Sequence, residues 1–274
     1  MKRRSFISLA IPAALTLGGV NAIGQTAPAD ASPNLAQRAA STMPLPTETA
    51  RSFNTIREAD IQNRPVSFTN MGRKVRRLTI QSRIRGESST VQNRDSYGFR
   101  ATWKVMDDIE FFVVAEVGTF ATAKAVAQRH LDALSRIPYC FRKEIQRVTI
   151  VDGKGTFRGG GGNIYTFADQ APSHNEFQGV IFHEVLHSVD HAMSASQRAA
   201  WKAAQTADRK AAPRFDGFVS SYARQHPDRE DFPSAAVPWF SLRKHPERLT
   251  SEQRAFIREQ IPNRIKFLNA HYPV

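Results

Sequence analysis

The stretch Phe182 to His191, FHEVLHSVDH, gathers three of the chain's eight histidines into ten residues. Its spacing constrains the local fold. On a helix, residues i and i+4 project from one face about one turn apart. Ser173-His174-Asn175-Glu176, just upstream, has the form of a capping box and predicts a helix from about residue 174 that carries the whole stretch.

On that helix His183 and His187 can aim both imidazoles at one zinc ion, and Glu184 lies beside their face. The plain alternative is an amphipathic helix whose histidines sit in a polar groove without metal. Zinc lowers the pKa of a bound water towards neutrality, and a neighbouring carboxylate can take the proton. A catalytic zinc wants three protein ligands and one open position. His191 fails as the third, because it lies about 12 Å along the axis from His183. The alternative pattern with a glycine turn before a third histidine is absent, since residue 190 is Asp. Asp190 can instead receive the second N–H of a zinc histidine. The third ligand must then come from elsewhere. The downstream acids are Asp208, Asp216 and the cluster Asp228-Arg229-Glu230-Asp231.

The remaining chain predicts an α+β fold: a small mixed or antiparallel sheet packed on the HExxH helix, with a mostly helical C-terminal part. Strand-like segments run Val75 to Ile84, Tyr97 to Val105 and Ile109 to Val117, the last two joined at Asp107-Asp108. Thr119 to Leu134 has helical spacing, and Val148 to Val151 reads as a short buried strand. Arg158 to Gly162 lacks the Lys-Ser/Thr of a phosphate-binding loop and reads as a loop entering an edge strand, Asn163 to Phe167. Ser194 to Gln197 is a second capping box, opening a helix through about Arg209. With prolines at 213, 227, 233 and 238, residues 214–238 read as irregular. A last helix from about Ser251 to Asn269 should bend or split at Pro262.

The N-terminus MKRRSFISLAIPAALTLGGVNA has the build of an export signal, and Arg3-Arg4-Ser5-Phe6-Ile7 resembles the twin-arginine type. The expected organisation is an export signal over 1–22, a flexible linker over 23–50 rich in Ala, Pro, Ser and Thr, and one domain over 51–274 with a β-rich beginning. The expected location is the bacterial periplasm or the outside of the cell. No later segment approaches membrane-spanning length. Loss of Lys2, Arg3 and Arg4 lowers the net charge only from +13 to +10, which favours acidic partners. The basic run Arg73-Lys74-Val75-Arg76-Arg77 reads as the solvated face of a strand, and nucleic-acid motifs are absent. Cys140 is the only cysteine, so an exported chain must rely on a packed core, and its apolar setting reads as a buried, inert thiol.

HEVLHSVD, followed after about thirty residues by SSYARQHPDREDF, resembles the catalytic domain of the anthrax lethal factor-like zinc peptidases, in the broader glutamate-zincin group. The resemblance spans roughly residues 145 to 240. It implies a peptidase with Zn2+ held by His183, His187 and Glu230, with Glu184 as general base and Tyr222 stabilising the transition state. Where the family has Ala-Glu after the phenylalanine, this chain has Pro233-Ser234, so Glu230 must lie at a helix start or on a kinked helix, and Asp231 is the alternative ligand. The expectation is an exported zinc-dependent metallohydrolase, most simply an endopeptidase acting on a peptide or protein. The competing expectation is a non-catalytic envelope-binding protein with a basic surface and a vestigial metal site.

Overall fold

Short strands buried along nearly their whole length build the centre of the sheet. The computed structural model describes residues 42–61, 63–80, 90–169, 174–212 and 214–274, apart from the side chains of 174 and 175. The proposed export signal and most of the linker lie outside these residues, as do Ser173 of the first capping box and residues 81–84 of the first expected strand.

Among the described residues six strands form one mixed sheet: β1 (Ser67–Ile80), β2 (Thr90–Thr102), β3 (Ile109–Val114), β4 (Arg147–Val151), β5 (Arg158–Gly160) and β6 (Asn163–Phe167), in the order β1-β2-β3-β4-β6-β5. β1/β2 and β2/β3 are antiparallel, and β3/β4 and β4/β6 are parallel. The sheet closes with β5 antiparallel to β6, Gly159 opposite Ile164. The expected edge strand β6 is therefore internal. β5 takes the edge, and it escaped the sequence reading because Arg-Gly-Gly carries almost no side-chain pattern.

β1 is the opposite edge, and charge and a register shift between Asn70 and Arg73 guard it. Of its basic run, Arg73, Lys74 and Arg77 are exposed as expected, but Arg76 is buried. Its guanidinium lies 4.9 Å from the Phe112 ring centroid and donates to the Ser96 and Gly72 carbonyls, which replaces the water it loses.

α1 (Thr49–Ser52) precedes the strands and packs on two later helices. α2 (Phe120–Ser135) packs on the sheet and connects β3 to β4, a crossover of the kind a parallel pair requires. Thr119 caps α2, accepting from the Thr122 N–H at 3.2 Å. Ala123, Ala127, Leu131 and Leu134 form its buried stripe. His130, on the same stripe, is fully buried: its Nδ1–H donates to the Val126 carbonyl and its Nε2 accepts from the Thr166 hydroxyl, both at 2.8 Å. Burial pushes this imidazole down from 6.5 to about 4. The unfolded chain therefore binds a proton in this window that the folded chain refuses, so this stability is present above pH 6.5 and is lost as pH falls towards 4. The expected loss is about 3 kcal/mol, read as the difference in pH slope between wild type and His130→Leu in urea unfolding.

After a short turn α3 (Tyr139–Arg142), the sheet leads to α4 (His174–Ala192), the helix expected to carry the histidine motif. Phe177, Ile181, Phe182, Val185, Leu186 and Val189 bury one side of it. α1 crosses α4 at Gly179, where an added Cβ would lie 2.1 Å from the Ala50 carbonyl oxygen. The linker expected over 23–50 is corrected at its end by this packing: Thr49 and Ala50 are buried, and the Pro46 and Thr47 carbonyls accept from the N–H groups of Ser221 and Tyr222. Backbone pairing leaves no apolar period, so composition alone read this end as free.

The C-terminal part is helical: α5 (Ala195–Ala211), α6 (Ser221–Gln225), α7 (Pro227–Lys244), α8 (Ser251–Gln260) and α9 (Pro262–His271). The Ser194–Gln197 capping box is present, and the last helix splits at Pro262 as expected. The reading of 214–238 as irregular is overturned. Pro227 takes the first turn of α7, and Pro233 and Pro238 lie inside it. An interior proline costs about 3 kcal/mol, but every residue from Glu230 to Ser241 is buried. Burial of Phe232, Val237, Trp239 and Phe240, at about 1.5–3 kcal/mol each, outweighs that cost.

A buried ionic brace ties this half together. Asp208 on α5 accepts from the backbone N–H groups of Asn263 and Arg264, at 2.7 and 3.0 Å, and so caps α9 from outside. It also accepts from Arg264 Nε at 3.0 Å, and Arg264 reaches on to Asp231 and the Gly217 carbonyl. Asp208→Ala takes one of two buried carboxylates from a guanidinium that is wholly inaccessible. A loss of about 3–5 kcal/mol is expected in urea unfolding. Among the described residues no helix is long and apolar enough to cross a membrane.

Candidate metal centre

The two halves of the chain meet at His183, His187 and Glu230. The histidines leave α4 on its less buried side, their ring centroids 4.9 Å apart. Glu230 stands in the first turn of α7, the helix-start position expected ahead of Pro233. One of its carboxylate oxygens, Oε2, lies 3.2 Å from His183 Nε2 and 3.3 Å from His187 Nε2. Around a tetrahedral zinc with bonds of about 2.1 Å, neighbouring ligand atoms sit about 3.4 Å apart. Two imidazoles and a carboxylate are also the donor set of an open-sided catalytic zinc site. The residues present thus fit the ion, and theirs is the one group of this kind among the described residues.

Electrostatics follow from the same packing. Burial alone would raise the Glu230 carboxyl, but hydrogen bonds from His183 and His187 outweigh it and hold the group well below the usual carboxylate range. Burial opposes the charge on His187 too, yet the hydrogen bond to Glu230 and the charges of Glu184, Glu230 and Asp190 keep its pKa above the ordinary value. Glu184 is buried, and burial raises its carboxyl against the pull of His187 and His183. The backbone N–H of Gly159, from β5, is the least of the influences that draw it down.

The neighbouring acids separate cleanly. Asp231, the alternative ligand, is one residue past Glu230 and so turned about 100° around the helix. It meets Arg264 instead, and burial raises it to about 6 against the pull of that guanidinium. Asp216 is exposed and pairs with Arg224 at 2.6 Å, and Asp228 is exposed. Asp190, expected behind a metal histidine, turns its carboxylate to Arg198 at 3.4 Å. His191 is exposed, as its helical position requires.

Tyr222 lies half-buried on α6, which runs directly into α7 and is capped by Ser220, whose hydroxyl accepts from the Ala223 N–H. Its ring meets His226 edge-on at 5.0 Å. The Cys140 thiol is half-buried and pushed up to about 11 by burial, which removes it as a nucleophile at neutral pH.

Sequence reasoning missed Gly159 and the Asp208–Arg264–Asp231 brace. The first was hidden in a glycine run with no side-chain signal, and the second joins residues from three helices with no common spacing. No family model, curated protein or solved structure matches this chain.

Proposed function

We propose that the chain is an exported zinc-dependent metallohydrolase, an endopeptidase. The observation that carries this reading is the convergence of His183 Nε2, His187 Nε2 and Glu230 Oε2, from two helices, with Glu230 47 residues beyond His183, at separations that suit one ion. These three atoms would hold the zinc, which when bound supplies an acidified water and polarises a substrate carbonyl. Glu184, buried and beside both histidines, takes the water's proton on a carboxylate oxygen and returns it to the leaving amine. In this reading the Tyr222 hydroxyl donates to the oxygen on which charge develops, as the lethal factor-like resemblance implies. Tyr222→Phe then retains zinc and lowers kcat more than it raises KM.

The basic net charge favours acidic segments of the substrate. Metal analysis of the purified protein, with cleavage of a casein substrate before and after chelation, tests the proposal. A protein that binds no zinc, or whose cleavage survives removal of its zinc, would rule it out.

Export belongs to the same proposal and rests on Arg3-Arg4 ahead of the short apolar run. Changing both arginines to lysine should leave precursor in the cytoplasm, visible on a fractionation blot. Unimpaired export of that variant would remove the twin-arginine route.

A further inference from the structure

We infer that Gly159 is the positioning residue for Glu184: β5 lies against α4 at this one bare Cα, and the Gly159 N–H fixes the direction of the Glu184 carboxylate. The inference rests on the reading of Glu184 as the proton acceptor and adds to it the element that orients the acceptor.

The geometry is tight. A Cβ built on residue 159 would lie 1.9 Å from the Glu184 carbonyl oxygen, 2.6 Å from its carbonyl carbon and 2.9 Å from its Cα. All three are helix backbone, which cannot swing aside as a side-chain tip could. Any side chain at 159 must therefore lift β5 from α4 at the residue that takes the proton. The same N–H also draws the Glu184 carboxyl down against burial. Register keeps it there: Gly159 is held opposite Ile164, with Arg158 opposite Tyr165 and Gly160 opposite Asn163. The neighbouring Gly160 differs, because a Cβ there would meet nothing within 4 Å. The glycine at 159 thus answers a requirement of contact with α4, whereas its neighbour answers one of backbone conformation at φ 143°.

The metal ligands come from α4 and α7 and leave β5 out of the donor set. Disturbing residue 159 should therefore separate proton transfer from metal retention. A merely structural glycine would weaken both together.

The test has two arms. In full-length protein labelled with 15N-glycine, Glu184→Ala removes the acceptor. The Gly159 amide proton should move upfield and exchange faster, while the Gly160, Gly161 and Gly162 resonances move less. An unmoved Gly159 resonance overturns the inference, and this arm needs neither activity nor a variant at 159. In the second arm Gly159→Ala should keep its zinc and lose about 100-fold in kcat on fluorescein-labelled casein, the scale of a misplaced reacting group. The same substitution in a Glu184→Gln background should add no further loss. Full additivity of the two losses, or parallel loss of zinc, overturns the inference. If Glu184→Gln alone leaves cleavage intact, the proposed function fails, while the amide arm still decides whether Gly159 holds Glu184.

Discussion

Glu184→Gln should retain its zinc and lose hydrolysis by on the order of 10³-fold or more, within the range attributed to general acid–base groups and at its upper part. The substitution keeps the size of the side chain and an oxygen that can accept the Gly159 N–H. It removes the group that can carry a proton away from water. Burial raises the carboxyl while the two histidines draw it back, a balance suited to a group that must take a proton and give it up. Paired measurement of zinc content and casein cleavage checks the expectation. Turnover close to wild type would mean that the proton goes elsewhere, and the mechanism would have to be abandoned.

The second large effect is expected at Glu230. Removing a group that only orients a metal ligand costs 10- to 100-fold in affinity, so removal of a ligand should cost more than about 100-fold. Glu230→Ala should surrender its zinc at chelator concentrations that leave the wild type loaded. It also leaves His183 and His187 without the carboxylate oxygen that now lies 3.2 and 3.3 Å from them. Asp228→Ala is the control, since Asp228 is exposed. Asp231→Ala separates ligand from brace: it should destabilise the fold, because it strips Arg264 of a buried partner, before it affects metal directly. Titration with a chromogenic chelator, run beside urea unfolding for the three variants, resolves these outcomes. Wild-type affinity in Glu230→Ala would leave the carboxylate without a role at the metal.

The parts of this arrangement differed in how openly the sequence displayed them. His183, Glu184 and His187 were legible because the i, i+4 spacing acquires chemical meaning only on a helix, and the capping box ahead of them announced that helix. Glu230 was reached through resemblance, since spacing could not choose among Asp228, Glu230 and Asp231. The angular step between consecutive helical residues makes the choice, sending residue 230 to the histidines and residue 231 to Arg264. α2, β3 and β4 follow from local pattern. α7 did not, because two interior prolines argue against a helix locally and only tertiary burial overrides them. β5 was hidden for the opposite reason: its two glycines carry no pattern, and its place is set by a contact with α4 that sequence does not display.

The brace has a thermodynamic consequence. Arg264 sits on α9, and its partner Asp231 is bonded in the chain to Glu230. If the site takes zinc as proposed, retention of the ion and docking of the chain's last helix would be reciprocally coupled. Whatever loosened α9 would then weaken the grip on the ion, and whatever saturated the metal site would hold α9 down. At free zinc a thousandfold above its dissociation constant, the folded state would gain about 4 kcal/mol over the metal-free chain. Part of that gain would be felt at α9, far along the sequence from either histidine. Slower amide exchange along α9 on zinc addition would be its signature, and depletion of the metal would then become a route to unfolding from the C-terminal end.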